Sequence, residues 1–178
     1  FDDLAALLTV AEAGEVDVAG VSLVAGNAPL PVVIDNACRA AAAFGLDAPI
    51  HAGAAKPLLG PLVTAAYVLG ESGMATVGRS LPQARVALDP LPAADALAAT
   101  IAAGAAPLTV LALGPLTNLA ILALWRPALI AKLAGIVWLG GSAGPGNHTA
   151  AAEFNAAVDP EAVAAVLESG VPFEMIGL

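Results

Sequence analysis

Charged side chains are scarce in this sequence, making up 12% of its 178 residues. Only six are Lys or Arg, scattered singly, and the net charge is −9. Without a clustered basic footprint, nucleic-acid binding is excluded as a function class. Cysteine is limited to Cys38, so neither a disulfide framework nor a cysteine-based zinc site can form. Cys38 sits in an apolar helical stretch and reads as a packed side chain rather than a nucleophile. No basic leader with a cleavage site is visible, and a reducing cytoplasm is the expected compartment.

What the chain has instead is apolar bulk: 59% hydrophobic residues and a mean hydropathy of +0.86, much of it from alanine. Residues 96 to 125 carry no charge at all. A membrane span is nevertheless rejected, because Gly104, Pro107, Gly114, Pro115, Thr117 and Asn118 interrupt the run. Its middle reads as a buried strand, a tight turn and a helix. The length suits one domain with a sizeable core.

Helix and strand patterns alternate along the chain. Helices are expected over 3–13, 31–44, 92–103, 116–125 and 162–168. Strands are expected over 16–24, 49–52, 108–113, 136–139 and from 172 onward. Asp159-Pro160-Glu161 is a helix start, with Asp as cap and Pro in the first turn. Residues 53 to 88, rich in Gly and Pro, are the least regular. This order implies an α/β fold: a Rossmann-like, open, mostly parallel sheet with helices on both faces. In such sheets ligands bind beyond the carboxyl ends of the strands. Asn27, the segment Gly114 to Asn118, and the segment Asn147 to Asn155 all fall there.

The last of these is the most informative. Asn147, Glu153 and Asn155 lie within nine residues, in a chain where amides and carboxylates are few. Read as extended, Glu153 and Asn155 share a face. A carboxylate and two amides converging on one pocket suit a ligand with several hydroxyls, such as a sugar.

Phe1-Asp2-Asp3, Gly26-Asn27, His51-Ala52-Gly53 with Pro57-Leu58, and Gly70-Glu71-Ser72-Gly73 occur in that order. Leu113-Gly114-Pro115-Leu116-Thr117-Asn118-Leu119-Ala120, Gly140-Gly141 and Asn147 to Asn155 follow. Together they resemble the inosine-uridine-preferring nucleoside hydrolase family across essentially the whole chain. The resemblance implies hydrolysis of the N-glycosidic bond of a ribonucleoside, giving ribose and free base. It implies a calcium ion that binds ribose hydroxyls and activates a water, with an Asp as general base and an oxocarbenium-like transition state.

By the same resemblance, Asp3 is a calcium ligand and Asp2 holds ribose hydroxyls. Leu113 offers a backbone carbonyl to the metal. Asn27 lies near ribose and metal. Asn147 and Glu153 grip the 5′-hydroxyl, and Asn155 binds ribose hydroxyls and stabilises the strained sugar. A homo-oligomer, dimer or tetramer, is implied. The chain departs from the family pattern in three ways. The general base is expected four residues before Asp2, outside this chain. A last calcium-binding Asp and a His that assists the leaving base are expected beyond Leu178. Leu69 occupies a place where many members carry His. The chain is thus expected to be one domain truncated at both ends, with little activity alone. A ribose- or nucleoside-binding module without catalysis, or an inactive gene fragment, are the competing readings.

Simpler roles are expected for other polar residues. Asn118 reads as a hydrogen bonder at a helix start, and His51 as a packed or partly exposed histidine. His148 reads as an exposed loop residue. Trp125 and Trp138 read as core or interface residues rather than base-stacking platforms. Glu71 is either a cap or a pocket lid. The glycines form no Gly-x-Gly-x-x-Gly cradle, so a dinucleotide site has little support.

Overall fold

The computed structural model describes residues 2–74, 78–104 and 106–178. Phe1, the first residue of the Phe1-Asp2-Asp3 motif, and residues 75–77 of the irregular stretch lie outside the described residues. Helix α1 (Asp2–Glu12) leads to strand β1 (Val21–Ser22), α2 (Leu30–Phe44), β2 (Ile50–His51) and the single-turn α3 (Ala66–Leu69). Then come α4 (Ala93–Ala103), β3 (Thr109–Ala112), α5 (Thr117–Trp125), the short α6 (Pro127–Ile130) and β4 (Gly135–Leu139). The chain closes with α7 (Phe154–Val158), α8 (Pro160–Glu168) and β5 (Phe173–Ile176).

Among the described residues all strand pairings are parallel, as the helix–strand alternation implies. They fall into two sheets, β1-β2 and β3-β4-β5. The strand expected over 16–24 is regular only at Val21–Ser22, and Val16 is exposed. Its partner is equally short: Val21 aligns with Ile50 and Ser22 with His51, and the N–H groups of Val21, Leu23 and Ala25 donate to the Pro49, His51 and Ala54 carbonyls. A strand laddered along one edge ends where that partner turns away.

Helix α5 explains the uncharged run. Thr117, Asn118, Leu119, Ala120, Leu122 and Ala123 are all buried, so the helix is covered except at its end, where Leu124 and Trp125 are exposed. It joins Ile101 of α4, Ile130 of α6, Ala162 and Val166 of α8, and Ile136 and Trp138 of β4 in the main core. A second core holds Cys38 and Ala41 of α2 against Leu23 and Ile50. Cys38 is packed there, and burial pushes its thiol pKa up despite the opposing pull of Arg85. No described helix is long and apolar enough to cross a membrane.

Two buried polar side chains fasten these pieces together. Asp159 caps α8 by accepting the Ala162 N–H at 3.1 Å, as the Asp-Pro signature predicts. Its other oxygen accepts the Thr117 hydroxyl at 2.6 Å and the Leu58 N–H at 2.9 Å, so one carboxylate joins three segments. Asn118 does not bond its own helix start. Its amide donates to the Leu23 carbonyl at 2.9 Å and accepts the Ala54 N–H at 2.8 Å. It thereby ties α5 to the β1-β2 sheet across 95 and 64 residues of sequence.

Gly53 passes beneath this amide. A Cβ there would lie 2.2 Å from the Leu23 carbonyl oxygen and 2.3 Å from Asn118 Oδ1. Both atoms are held by hydrogen bonds and cannot retreat. Gly53→Ala is therefore expected to destabilise the fold by about 1–3 kcal/mol, the usual cost of overpacking, measured as a lower urea midpoint. An unchanged midpoint would show that the Asn118 crossing is loose.

Candidate active site

The carboxyl ends of β1, β3 and β4 converge, as the fold class requires of a ligand site. Gly26, after β1, lies so close to the turn after β3 that a Cβ would meet Pro115 Cδ at 3.0 Å. The indole of Trp138, buried in β4, donates to the Gly114 carbonyl at 3.0 Å and tilts against Phe173. It is a core residue, as expected, and it also fixes the turn that follows β3. Gly140 is needed beside it, since a Cβ there would fall 2.2 Å from the indole.

Asn155 closes the gap between the strand ends. Its Nδ2 donates to the Leu139 carbonyl at 2.9 Å and to the Leu113 carbonyl at 3.2 Å. Two of the predicted site residues, Asn155 and Leu113, are thus in direct contact.

The local backbone differs from the expected extended segment. Glu153 is the N-cap of α7, and Asn155 stands in the first turn of that helix. The Glu153 carboxylate accepts the Asn155 N–H at 2.9 Å and the Ala156 N–H at 3.0 Å, which are orphan donors of a helix start. Its Oε2 also accepts the Gly141 N–H at 2.9 Å, binding the loop after β4 to α7. Asn147 Oδ1 accepts the Phe154 N–H at 2.8 Å. Asn147, Glu153 and Asn155 are therefore all engaged at the start of α7, where Asn147 and Glu153 accept backbone N–H groups and Asn155 reaches the two strand-end carbonyls. His148 is half-buried rather than exposed, with its ring edge-on to Phe154 at 5.4 Å.

Asn27 lies at the same end of the fold. Its carbonyl accepts the Ala65 N–H at 3.0 Å, and Ala65 packs against Phe154. Its side-chain amide has no hydrogen-bond partner among the described residues, which leaves it available to a ligand. Leu69, where the resemblance leads one to look for His, packs against this small cluster. His51 is buried, with Nδ1 3.0 Å from the Leu91 carbonyl, and belongs to the scaffold.

Asp2 and Asp3 open α1. Burial, and secondarily the adjacent Asp2, push the Asp3 carboxyl up to about 6. Asp3 makes no hydrogen bond to the Leu113–Asn155 cluster among the described residues. An acidic pair with one carboxyl raised is the electrostatic setting a cation would relieve. The Leu113 carbonyl adds a second hard oxygen. The described residues contain no group of three or more His, Cys, Asp or Glu able to hold a metal. Carboxylate and carbonyl oxygens are donor types that a hard cation takes, but no hydrogen bond joins Asp3 to the Leu113 carbonyl among the described residues.

Three residues of this site were not singled out for it from sequence: Thr117, Trp138 and Asp159. The Asp-Pro start marked Asp159 as a cap, but nothing local discloses its bonds to Thr117 and Leu58.

Two outcomes are expected. Glu153→Gln places an amide nitrogen against backbone donors, so it is expected to lower stability by about 1–3 kcal/mol. Thermal unfolding checks this, and an unchanged Tm would refute the capping role. For Asp3, the folded-state pKa of about 6 lies above the ordinary aspartate value of 3.8. The folded state then holds the proton more tightly, so metal-free stability falls as pH rises through that window and levels above it. Asp3→Asn is expected to flatten this slope in urea midpoints; an unaltered slope would refute it.

A family model described as inosine-uridine preferring nucleoside hydrolase matches residues 1–178. The non-specific ribonucleoside hydrolase RihC of Salmonella agona is 41% identical over 181 residues, covering 99% of this chain and 57% of RihC. A plant nucleoside hydrolase structure superposes with a TM-score of 0.90 at 30% identity, over 99% of this chain and 56% of that one. An inosine-guanosine nucleoside hydrolase gives 0.87 at 28% identity, over 99% and 56%. The chain thus spans little more than half the length of these relatives. On the match along its whole length, this chain belongs to the inosine-uridine preferring nucleoside hydrolase family.

Proposed function

We propose that the protein carrying this chain hydrolyses the N-glycosidic bond of ribonucleosides to ribose and free base. The observation that carries this reading is the Asn155 amide, held on the Leu113 and Leu139 carbonyls where three strand ends converge. A sugar with several hydroxyls needs fixed donors and acceptors at close spacing, and this cluster supplies them. Asn155 and Asn27 position the ribose ring, and Asp2 accepts from its hydroxyls. Asn147 and Glu153 bind the 5′-hydroxyl. Glu153 already accepts three backbone N–H groups, so it has room for one further donor. Carbonyl and amide oxygens facing the sugar favour the positive charge that develops as the base departs.

Asp3 and the Leu113 carbonyl would hold a calcium ion. When bound, that ion supplies a site for ribose hydroxyls and a water of lowered pKa. Within this chain the cluster carboxylate, Glu153, is committed to backbone donors and is a poor general base. The same observation favours a second reading, a ribose- or nucleoside-binding module without catalysis. Assembly into a dimer or tetramer accords with the half-exposed Trp125, which Arg126 covers at 4.3 Å.

The deciding experiment is ribose release from inosine and uridine by the complete protein, with calcium and with a chelator. Calcium-dependent release is expected. Asn155→Ala should lower kcat/KM by about 10²–10³-fold, as for loss of one transition-state donor. Binding of ribose without any release would favour the binding module and remove the catalytic claim.

A further inference from the structure

Two hydrogen bonds join the same two segments with matched spacing. Asn155 Nδ2 reaches the Leu113 carbonyl, and four residues later on each strand of chain, Thr117 reaches Asp159. Both pairs are 42 residues apart in sequence. The first pair lies in the proposed ribose pocket. The second lies in the core, where Thr117 is 2% exposed and Asp159 is fully buried. Between them run the Gly114-Pro115 turn on one side and one turn of α7 on the other.

We propose that the Thr117–Asp159 hydrogen bond is a positioning device for the pocket, locking α7 against the start of α5 in the register that places the Asn155 amide on the Leu113 and Leu139 carbonyls. This inference rests on the ribose-pocket reading above.

The physical case begins with reach. A helix of five residues has little internal cooperativity and depends on outside contacts for its position. Glu153 anchors its first turn, but through Gly141, which belongs to the loop after β4. Asp159, at its far end, anchors it to α5 and to the Leu58 loop. Asn155 must touch carbonyls from both β3 and β4. It therefore needs α7 fixed relative to both, and Asp159 supplies the β3 side. Without that anchor α7 keeps the packing of Phe154 and Val158 but loses its directional tie to the start of α5, and the longer of the two Asn155 contacts, to Leu113 at 3.2 Å, is the first to loosen.

The consequence concerns the Leu113 carbonyl. Its oxygen has two lone pairs, and the Asn155 N–H engages one of them. With the amide in place, the carbonyl is held in a fixed direction and its remaining lone pair is presented to a hard cation or a ribose hydroxyl. Thr117 and Asp159 touch neither ligand. They act through Asn155 and Leu113, as outer residues that orient inner ones.

Thr117→Val tests this with least disturbance. It keeps the shape of the side chain, removes the hydroxyl, and leaves Asp159 bonded to Leu58 and Ala162. Thr117→Ser restores the hydroxyl. Val166→Ala, in the same core on α8, is the control for a general loss of stability. Three readouts are taken on the complete protein: hydrogen exchange of the Asn155 side-chain amide by NMR, calcium and ribose affinity by calorimetry, and kcat and KM for inosine. Thr117→Val is expected to speed exchange of the Asn155 amide and to weaken calcium or ribose binding by about 10–100-fold. Thr117→Ser should restore both, and Val166→Ala should alter neither at matched stability. An unchanged Asn155 amide in Thr117→Val overturns the lock, whatever the ligands do. So does a changed amide with unchanged affinities, or an equal loss in Val166→Ala. A native protein that binds neither calcium nor ribose overturns the pocket reading itself, and the functional role of the lock falls with it.

Discussion

The arrangement of this chain depends on one buried carboxylate. Asp159 is fully enclosed, yet each of its oxygens is engaged: one by the N-terminus of α8, the other by Thr117 and Leu58. A charged group in the core is tolerated only when surrounded by donors in this way. Here the donors come from the start of α5, an irregular loop a hundred residues upstream, and the first turn of α8 three residues onward. Remove the acceptor and a hydroxyl and two N–H groups lose their partners together. The apolar core around α5 supplies the bulk of the driving force. It says little about relative register, because packing of Ala and Leu surfaces tolerates sliding. The carboxylate, with its directional bonds, specifies what the apolar surface leaves open.

The same division of labour explains what the sequence discloses. Helix ends marked by Gly14 and Gly45, the Asp159-Pro160 start and the apolar strands around 110 and 137 were legible, because each signal acts within a few residues. That Asn147, Glu153 and Asn155 belong to one short segment was legible too, since they are neighbours in the chain. Their backbone state was not. Glu is an uncommon N-cap, and the alternation of polar residues at 153 and 155 imitates a strand. Helix α7 exists because Glu153 turns inward to its N–H groups, a choice made by tertiary packing around Phe154 and Val158. The short β1 and the cross-chain bonds of Asn118 were likewise invisible, because their partners lie tens of residues away. Strand length in a parallel sheet is set by the neighbour as much as by the strand's own composition.

The scarcity of charge takes on a different sense in three dimensions. The cluster around Asn155 is built largely from backbone: carbonyls of Leu113, Leu139 and Gly114, and N–H groups of Gly141, Asn155 and Ala156. Main-chain groups occur at every residue, so a site that uses them needs few polar side chains. Those few, Asn155, Glu153 and Trp138, serve to aim the main chain. This is why an apolar residue, Leu113, can stand at the centre of the cluster: its side chain is irrelevant to the contact its carbonyl makes.

The two feet of the loop after β4 are stapled by a single group. Glu153 grips Gly141 at one foot and the start of α7 at the other, while Asn147 is fastened separately to Phe154. Between these feet the stretch has ties of its own, from Ala143 N–H to the Leu178 carbonyl and from Gly146 N–H to the Ala150 carbonyl. Lengthening such a stretch adds only a slowly growing closure entropy. An insertion between the two feet is therefore cheap in chain entropy, so long as Gly141 keeps Glu153 and Asn147 keeps Phe154.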